Sequence, residues 1–125
     1  KRPNIHIQDV VDLYQKLLEV PDDVINCKTF NAGYQNLTVS EIAQTVKRVV
    51  SEEMPAIETL TIETTESDDK RSYHISSEKI KNELGFVASH SVRDAIEDLV
   101  TGACNGLLDG ITTLIKSPHI ILVSP

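Results

Sequence analysis

The chain has 125 residues, of which 40% are hydrophobic and 25% are charged, a composition typical of a globular protein with a buried core rather than a disordered chain. A net charge of -7, without any cluster of Lys and Arg, disfavours nucleic acid and anionic membranes as partners. The two cysteines are far apart and no Cys/His metal spacing occurs, so we expect reduced thiols, no metal site and a cytoplasmic location.

Two strand–helix pairs are predicted in the first half of the chain. Residues Ile5–Ile7 are expected to form a short strand, and apolar residues then recur at helical spacing over Asp9–Glu19. A second strand is predicted over Cys27–Ala32, followed by a loop. The sequence Thr38-Val39-Ser40-Glu41 has the form of a capping box, which predicts a helix that ends before Pro55.

The second half begins with a predicted strand and a short capped helix. The period of two over Ile57–Glu63 indicates a half-buried strand. Ser76 or Ser77 is expected to cap the next helix, which Gly85 ends in a left-handed conformation. The residue after this glycine, Phe86, is expected to pack back against the helix.

A last long helix follows a second capping box, Ser91-Val92-Arg93-Asp94. The pattern predicts that its buried face carries Val92, Ala95, Ile96, Leu99, Ala103 and, toward its end, Leu107. Beyond the helix lie two apolar clusters, Ile111–Ile115 and Ile120–Val123, which the pattern does not assign to an element.

Five short segments occur in an order and at intervals that resemble a known family. They are Arg2–Val11, Phe30–Gly33, Asn36–Ala43, Asp69–Ile80 and Ser91–Ile96. Together they are similar to the C-terminal, substrate-binding part of the extended short-chain dehydrogenases, the NAD-dependent epimerase/dehydratase family of nucleotide-sugar enzymes. The resemblance covers residues 1–99, whereas residues 100–125 form a divergent helical or apolar tail.

The resemblance implies an α+β fold in which about four helices cover a small mixed sheet, the portion of a Rossmann-type epimerase that lacks the dinucleotide-binding half. The chain has no glycine-rich dinucleotide fingerprint and no Tyr-xxx-Lys pair. We therefore expect no catalytic residue and no cofactor site in this chain. NAD(P) is implied only for the full-length parent enzyme, which would be an isomerase or dehydratase.

The resemblance also implies three substrate-binding residues, Arg2, Arg71 and Asn31, because a guanidinium fork suits the oxygens of a diphosphate. His6 and Asp9 are expected to position the junction between the first strand and the first helix. The implied partners are a nucleotide sugar, the missing N-terminal Rossmann half and a second copy in a homo-oligomer. The alternative is a non-catalytic α/β protein-interaction module whose acidic surface holds a basic partner.

Overall fold

The computed structural model describes residues 1–55, 57, 60–65 and 72–107, together with the backbone of 119–123. Within these residues short strands alternate with helices of 4 to 15 residues. In chain order the elements are β1 (Arg2–Asn4), α1 (Ile7–Glu19), α2 (Asp22–Ile25), β2 (Gln35–Leu37), α3 (Val39–Glu53), β3 (Thr61–Thr65), α4 (Glu78–Leu84), α5 (Val92–Cys104) and β4 (His119–Val123).

The described strands form two separate pairs. β1 and β2 are antiparallel, with Arg2 opposite Leu37, and β3 and β4 are parallel, with Thr61 opposite His119. The predicted α+β class is confirmed, with both strand orientations present and α3 packed against the β3–β4 pair. The apolar run Ile120–Val123 lies in β4, whereas Ile111–Ile115 lies outside the described residues.

The first strand and the first helix both begin earlier than predicted. The strand is Arg2–Asn4 rather than Ile5–Ile7, and the helix begins at Ile7 rather than Asp9. The reason is His6, whose ring nitrogen Nδ1 accepts the N–H of Gln8 at 3.1 Å and so caps the helix. An imidazole is an uncommon cap, which is why the pattern of Ser, Thr, Asp and Asn caps does not reveal it.

The predicted strand over Cys27–Ala32 is wrong, and the strand that pairs with β1 is Gln35–Leu37. Cys27 has a φ of 59°, in the left-handed region, so the chain turns there instead of extending. The apolar side chains of Phe30 and Ala32 still pack into the core. Their burial accounts for the strand-like pattern without any strand pairing.

Helix α3 begins with the predicted capping box. The hydroxyl of Thr38 accepts the N–H of Glu41 at 3.1 Å, and the Glu41 carboxylate accepts the N–H of Thr38 at 2.7 Å. These bonds from the backbone and the hydroxyl of Thr38 hold the pKa of Glu41 below its ordinary value. The helix ends at Glu53, before Pro55, as predicted.

Replacing the cap, Thr38→Ala, is expected to lower the free energy of unfolding by about 1 kcal/mol, because one N–H group of the first turn loses its acceptor. Urea unfolding followed by circular dichroism measures the change. Thr45→Ala, on the same helix but away from its N-terminus, is the matched control. An equal loss in both variants would contradict a specific role for the cap.

Helices α4 and α5 carry the remaining confirmed predictions. Gly85 ends α4 with a φ of 62°, and Phe86 is buried behind it. The Ser91–Asp94 capping box is present at the start of α5. Two residues predicted for the buried face are exposed instead. Leu99 is exposed and Val100 is buried, since the buried face is centred on Ile96 rather than on Leu99. Leu107 is exposed because α5 ends at Cys104.

Two apolar clusters form the described core. The first joins α3 to α5 through Val49, Val50, Leu60, Ile96 and Val100. The second surrounds Ile80, Leu84, Phe86 and Ala88, with side chains of α1, α2 and the loop before β2 packed against it. In the part of the chain that the structure describes, none of the helices combines the length and apolarity that crossing a membrane requires.

Candidate substrate-binding surface

The segment 72–77 lies beside the β1–β2 pair, although it belongs to no regular element. The N–H of Tyr73 donates to the carbonyl of Lys1 at 3.2 Å, and the main-chain nitrogen of Lys1 donates to the hydroxyl of Ser72. Farther along, the side-chain amide of Asn36 donates to the carbonyl of Ile75 at 3.1 Å and accepts its N–H at 2.9 Å. These contacts hold residues 72–75, which follow the predicted substrate residue Arg71, against Lys1 beside Arg2 and against Asn36 of β2.

The end of this segment is anchored by Ser77. Its hydroxyl donates to the carbonyl of Gly33 at 2.9 Å and accepts the N–H of the same residue at 2.9 Å. Ser77 stands at the N-cap position of α4, but its hydroxyl makes no capping bond, because it is engaged with Gly33. A side chain at Gly33 would lie 3.0 Å from the Cδ1 atom of Ile75, so a glycine allows this close approach.

Arg2 and Tyr73 meet at the surface of the β1–β2 pair. The guanidinium carbon of Arg2 lies 5.4 Å from the centre of the Tyr73 ring, within the range of a cation–π contact. The ring is 55% exposed and the arginine is half-buried, so the pair faces solvent. An arginine held against an aromatic face is oriented before any anion arrives.

The structure shows less about the two other predicted substrate residues, Asn31 and Arg71. Asn31 is exposed, in the irregular stretch before β2 and two residues before Gly33. Arg71 lies outside the described residues, so its proposed contact with the diphosphate stays a prediction. Of the three, only Arg2 is seen within a defined arrangement of side chains.

A buried carboxylate lies at the start of α1, close to the same strand. Asp9 is 2% exposed, and its oxygens accept the N–H groups of Ser89 at 3.1 Å and of His90 at 3.0 Å. The ring nitrogen Nδ1 of His90 lies 2.7 Å from an Asp9 oxygen. Burial raises the pKa of Asp9, but the hydrogen bonds from His90 and Ser89 outweigh it and hold the pKa below its ordinary value.

His6 extends this cluster toward α5. Since its Nδ1 accepts the N–H of Gln8, its other nitrogen, Nε2, carries the proton and lies 3.3 Å from a carboxylate oxygen of Asp98. The rings of His6 and His90 lie 4.9 Å apart. The expectation that His6 and Asp9 position the strand–helix junction fits these contacts, which tie the start of α1 to the start of α5.

A small pocket of about 150 Å³ opens between the β1–β2 pair and the start of α5. Its wall is mainly apolar, with the two histidines at one side. The lining residues are Asn4, Ile5, His6, Tyr34, Gln35, His90, Ser91, Val92, Ala95 and Ile96.

Stability should depend on pH through His90. The hydrogen bond to Asp9 is the main cause that raises the pKa of His90 above its ordinary value. A raised folded pKa means that this contribution is fully present below about pH 6.5, the ordinary value, and is lost as the pH rises through the folded value. Unfolding measured from pH 5 to 9 in the wild type and in His90→Gln should show a difference between them that shrinks above neutrality. A difference independent of pH would contradict this role of His90.

The partners of Asp9 are the site residues that sequence patterns do not reveal. Ser89 and His90 lie 80 and 81 residues away from Asp9 in the chain. No periodic signal connects positions at that distance. Their only local mark is their place directly before the Ser91 capping box.

The described strand–helix junctions do not fit a dinucleotide cofactor. A pyrophosphate needs a glycine-rich turn with open N–H groups at a helix start. Between β1 and α1 the His6 ring takes the first-turn N–H, and between β2 and α3 the Thr38 hydroxyl does so. NAD(P) thus finds no fit at these two junctions. Among the residues whose positions are described, no group of His, Cys, Asp and Glu could hold a metal ion.

Comparison with known proteins does not assign the chain to a family. The chain matches no protein-family model, no curated protein and no solved structure. Membership of the epimerase/dehydratase family is therefore a proposal, supported by the segments of the sequence and by the way they meet in the fold.

Proposed function

We propose that the chain is the nucleotide-sugar-binding portion of an NAD-dependent sugar epimerase or dehydratase and that it is inactive by itself. In the parent enzyme, a separate N-terminal Rossmann half would bind NAD(P) and carry the catalytic groups. This chain would hold the nucleotide part of the substrate against that half. Its residues suit binding and orienting the substrate rather than breaking its bonds.

One observation carries the proposal: Arg2 and Tyr73 lie together on an exposed surface. The two residues are 71 positions apart, in the segments that contain Arg2 and Arg71, two of the three residues that the resemblance assigns to the substrate. They are joined both by the cation–π contact and by the backbone bond between Lys1 and Tyr73.

The charges of the site favour an anionic ligand. Lys1 and Arg2 are both cationic, in a chain whose net charge is -7. A guanidinium offers N–H groups in a planar fork that matches two phosphate oxygens, whereas a lysine offers a point charge. The diphosphate of a nucleotide sugar is a ligand that uses this fork, and the exposed ring beside it can support a base or a sugar face.

Calorimetric titration of the purified chain with UDP-, GDP-, CDP- and dTDP-sugars tests the proposal. We expect one nucleotide class to bind and Arg2→Ala to weaken that binding about tenfold or more, the loss of one charge-assisted contact. Arg48→Ala, an exposed arginine on α3, is the matched control and should leave the affinity unchanged. Arg71→Ala, measured alongside, tests the second predicted arginine.

Two further variants separate the ring from the charge. Tyr73→Phe keeps the ring against Arg2 and should bind as the wild type does, whereas Tyr73→Ala should weaken binding. Failure of all four nucleotide classes to bind, or equal losses in Arg2→Ala and Arg48→Ala, would overturn the proposal that this surface holds a nucleotide sugar.

The alternative function, a non-catalytic protein-interaction module, is favoured by a different observation. Helix α1 presents large apolar side chains to solvent, among them Leu18 and Ile7. A surface of this kind is typical of protein contacts and is not needed for binding a sugar nucleotide.

A further inference from the structure

The outer side of α1 carries an apolar stripe with the spacing of a helix–helix seam. Its members are Ile7, Val11, Tyr14 and Leu18, separated by four, three and four residues. Their exposed fractions run from 42% to 88%. The alternation of four and three is that of the a and d positions of a coiled coil, which places all four on one line along the helix.

This stripe is distinct from the face by which α1 joins the core. Leu13 and Leu17 pack against the apolar cluster around Ile80. Helical geometry turns the stripe about 100° away from those residues, since Tyr14 and Leu18 directly follow Leu13 and Leu17 and lie on one line with Ile7 and Val11. The helix therefore has one apolar face that is covered within the fold and a second that is not.

The residues beside the stripe are compatible with pairing to a second copy of the same helix. Gln8 and Gln15 are exposed and occupy the positions directly beside the seam, whereas the acidic Asp12 and Glu19 lie one step farther out. A glutamine amide has two N–H donors and a carbonyl acceptor, so Gln8, which donates to Asp12 of its own helix at 2.8 Å, can still pair with a glutamine of the second copy. Acidic residues directly beside the seam would instead repel each other across a two-fold axis.

An antiparallel pairing satisfies every position of the stripe. It puts Ile7 opposite Leu18 of the second copy, Val11 opposite Tyr14, and Gln8 opposite Gln15. Such a contact is self-complementary, as a two-fold interface must be. The four side chains expose on the order of 500 Å² per copy, less than the roughly 800 Å² per partner of a standard interface. The association should therefore be weak and reversible.

We propose that the outer face of α1 is a homodimer interface through which two copies pair antiparallel about the Ile7–Val11–Tyr14–Leu18 stripe. The net charge of -7 on each copy opposes this contact at low ionic strength. Added salt should screen the repulsion and strengthen the dimer. The proposal stands apart from nucleotide-sugar binding, since the stripe shares no residue with the Arg2–Tyr73 surface.

Sedimentation velocity over about a hundredfold range of protein concentration tests the interface, because a weak dimer shifts with mass action. The chain is measured with Cys27→Ser and Cys104→Ser present, since both cysteines are exposed and could cross-link copies. We expect the sedimentation coefficient to rise with concentration and further with salt. Leu18→Gln should weaken the dimer about tenfold or more by placing an amide in the seam.

Control variants test whether the dimer depends on the α1 stripe itself. Leu107→Gln changes another largely exposed leucine, outside α1, and should leave the dimer intact. Gln8→Glu combined with Gln15→Glu should weaken the dimer at low salt and recover in part at high salt. Circular dichroism checks that each variant is folded. A chain that stays monomeric at every concentration would overturn the proposal, as would a dimer that Leu107→Gln disrupts and Leu18→Gln does not.

Discussion

Replacing Asp9 with alanine is expected to lower the free energy of unfolding by about 3 kcal/mol, because the N–H groups that now bind its carboxylate are left without an acceptor. Two of these donors are backbone groups, of Ser89 and His90, and cannot turn away to find another partner. The third is the ring of His90, which is partly exposed and can be solvated. The loss should therefore come mainly from the backbone donors.

Urea unfolding at pH 6 measures this change. Asp12→Ala, three residues along the same helix at an exposed position, is the matched control and should cost less than about 0.5 kcal/mol. In Asp9→Ala the pKa of His90, followed by NMR, should also fall toward its ordinary value. A loss under about 1 kcal/mol in Asp9→Ala would show that the cluster does not hold the starts of α1 and α5 together.

Truncating Ile80 should have an effect of similar size for a different reason. Ile80 is 1% exposed and lies at the centre of the cluster formed with Leu84, Phe86 and Ala88. Ile80→Ala removes buried methyl and methylene groups and leaves a cavity, with an expected loss of about 3 kcal/mol in the free energy of unfolding. Ile80 belongs to the cluster against which side chains of α1 and α2 pack.

The matched control is Ile7→Ala, the same chemical change at a position that is 72% exposed. It should change the free energy of unfolding by less than about 0.5 kcal/mol when measured at low protein concentration. Comparable losses at both positions would contradict the placement of the core on the inner side of α4.

The parts of the fold that the sequence predicts are those governed by local chemistry. Both capping boxes, at Thr38 and Ser91, and the left-handed Gly85 follow from contacts within four residues, and all three are confirmed. The first and second strands were predicted at the wrong residues because pairing depends on a partner far along the chain. For the same reason the third strand, predicted over Ile57–Glu63, is Thr61–Thr65. The imidazole cap at His6 starts α1 at Ile7, so the strand before it must end earlier than predicted. The turn at Cys27 prevents an extended strand from running through that residue.

The candidate site likewise combines features that the sequence predicts with contacts that only the fold reveals. Arg2 was expected to contact the substrate from a resemblance of segments, but its contact with Tyr73 depends on the fold of the 70 residues between them. The anchors made by Asn36 and Ser77 are also long-range, and neither residue type signals such a role by itself. Asp9 was expected at the strand–helix junction, whereas its bonds to Ser89 and His90 required the fold.

The central claim, that the Arg2–Tyr73 surface holds the nucleotide part of a sugar nucleotide, is tested most directly by NMR. The backbone amide signals of the ¹⁵N-labelled chain are followed while the sugar nucleotide that binds in calorimetry is added. We predict that the largest shifts fall on Arg2, Asn36, Tyr73 and Ile75, and that the amides of α3 away from its start do not move. Shifts confined to α3, α5 or the outer face of α1, or no shifts with any of the four nucleotide classes, would contradict the claim.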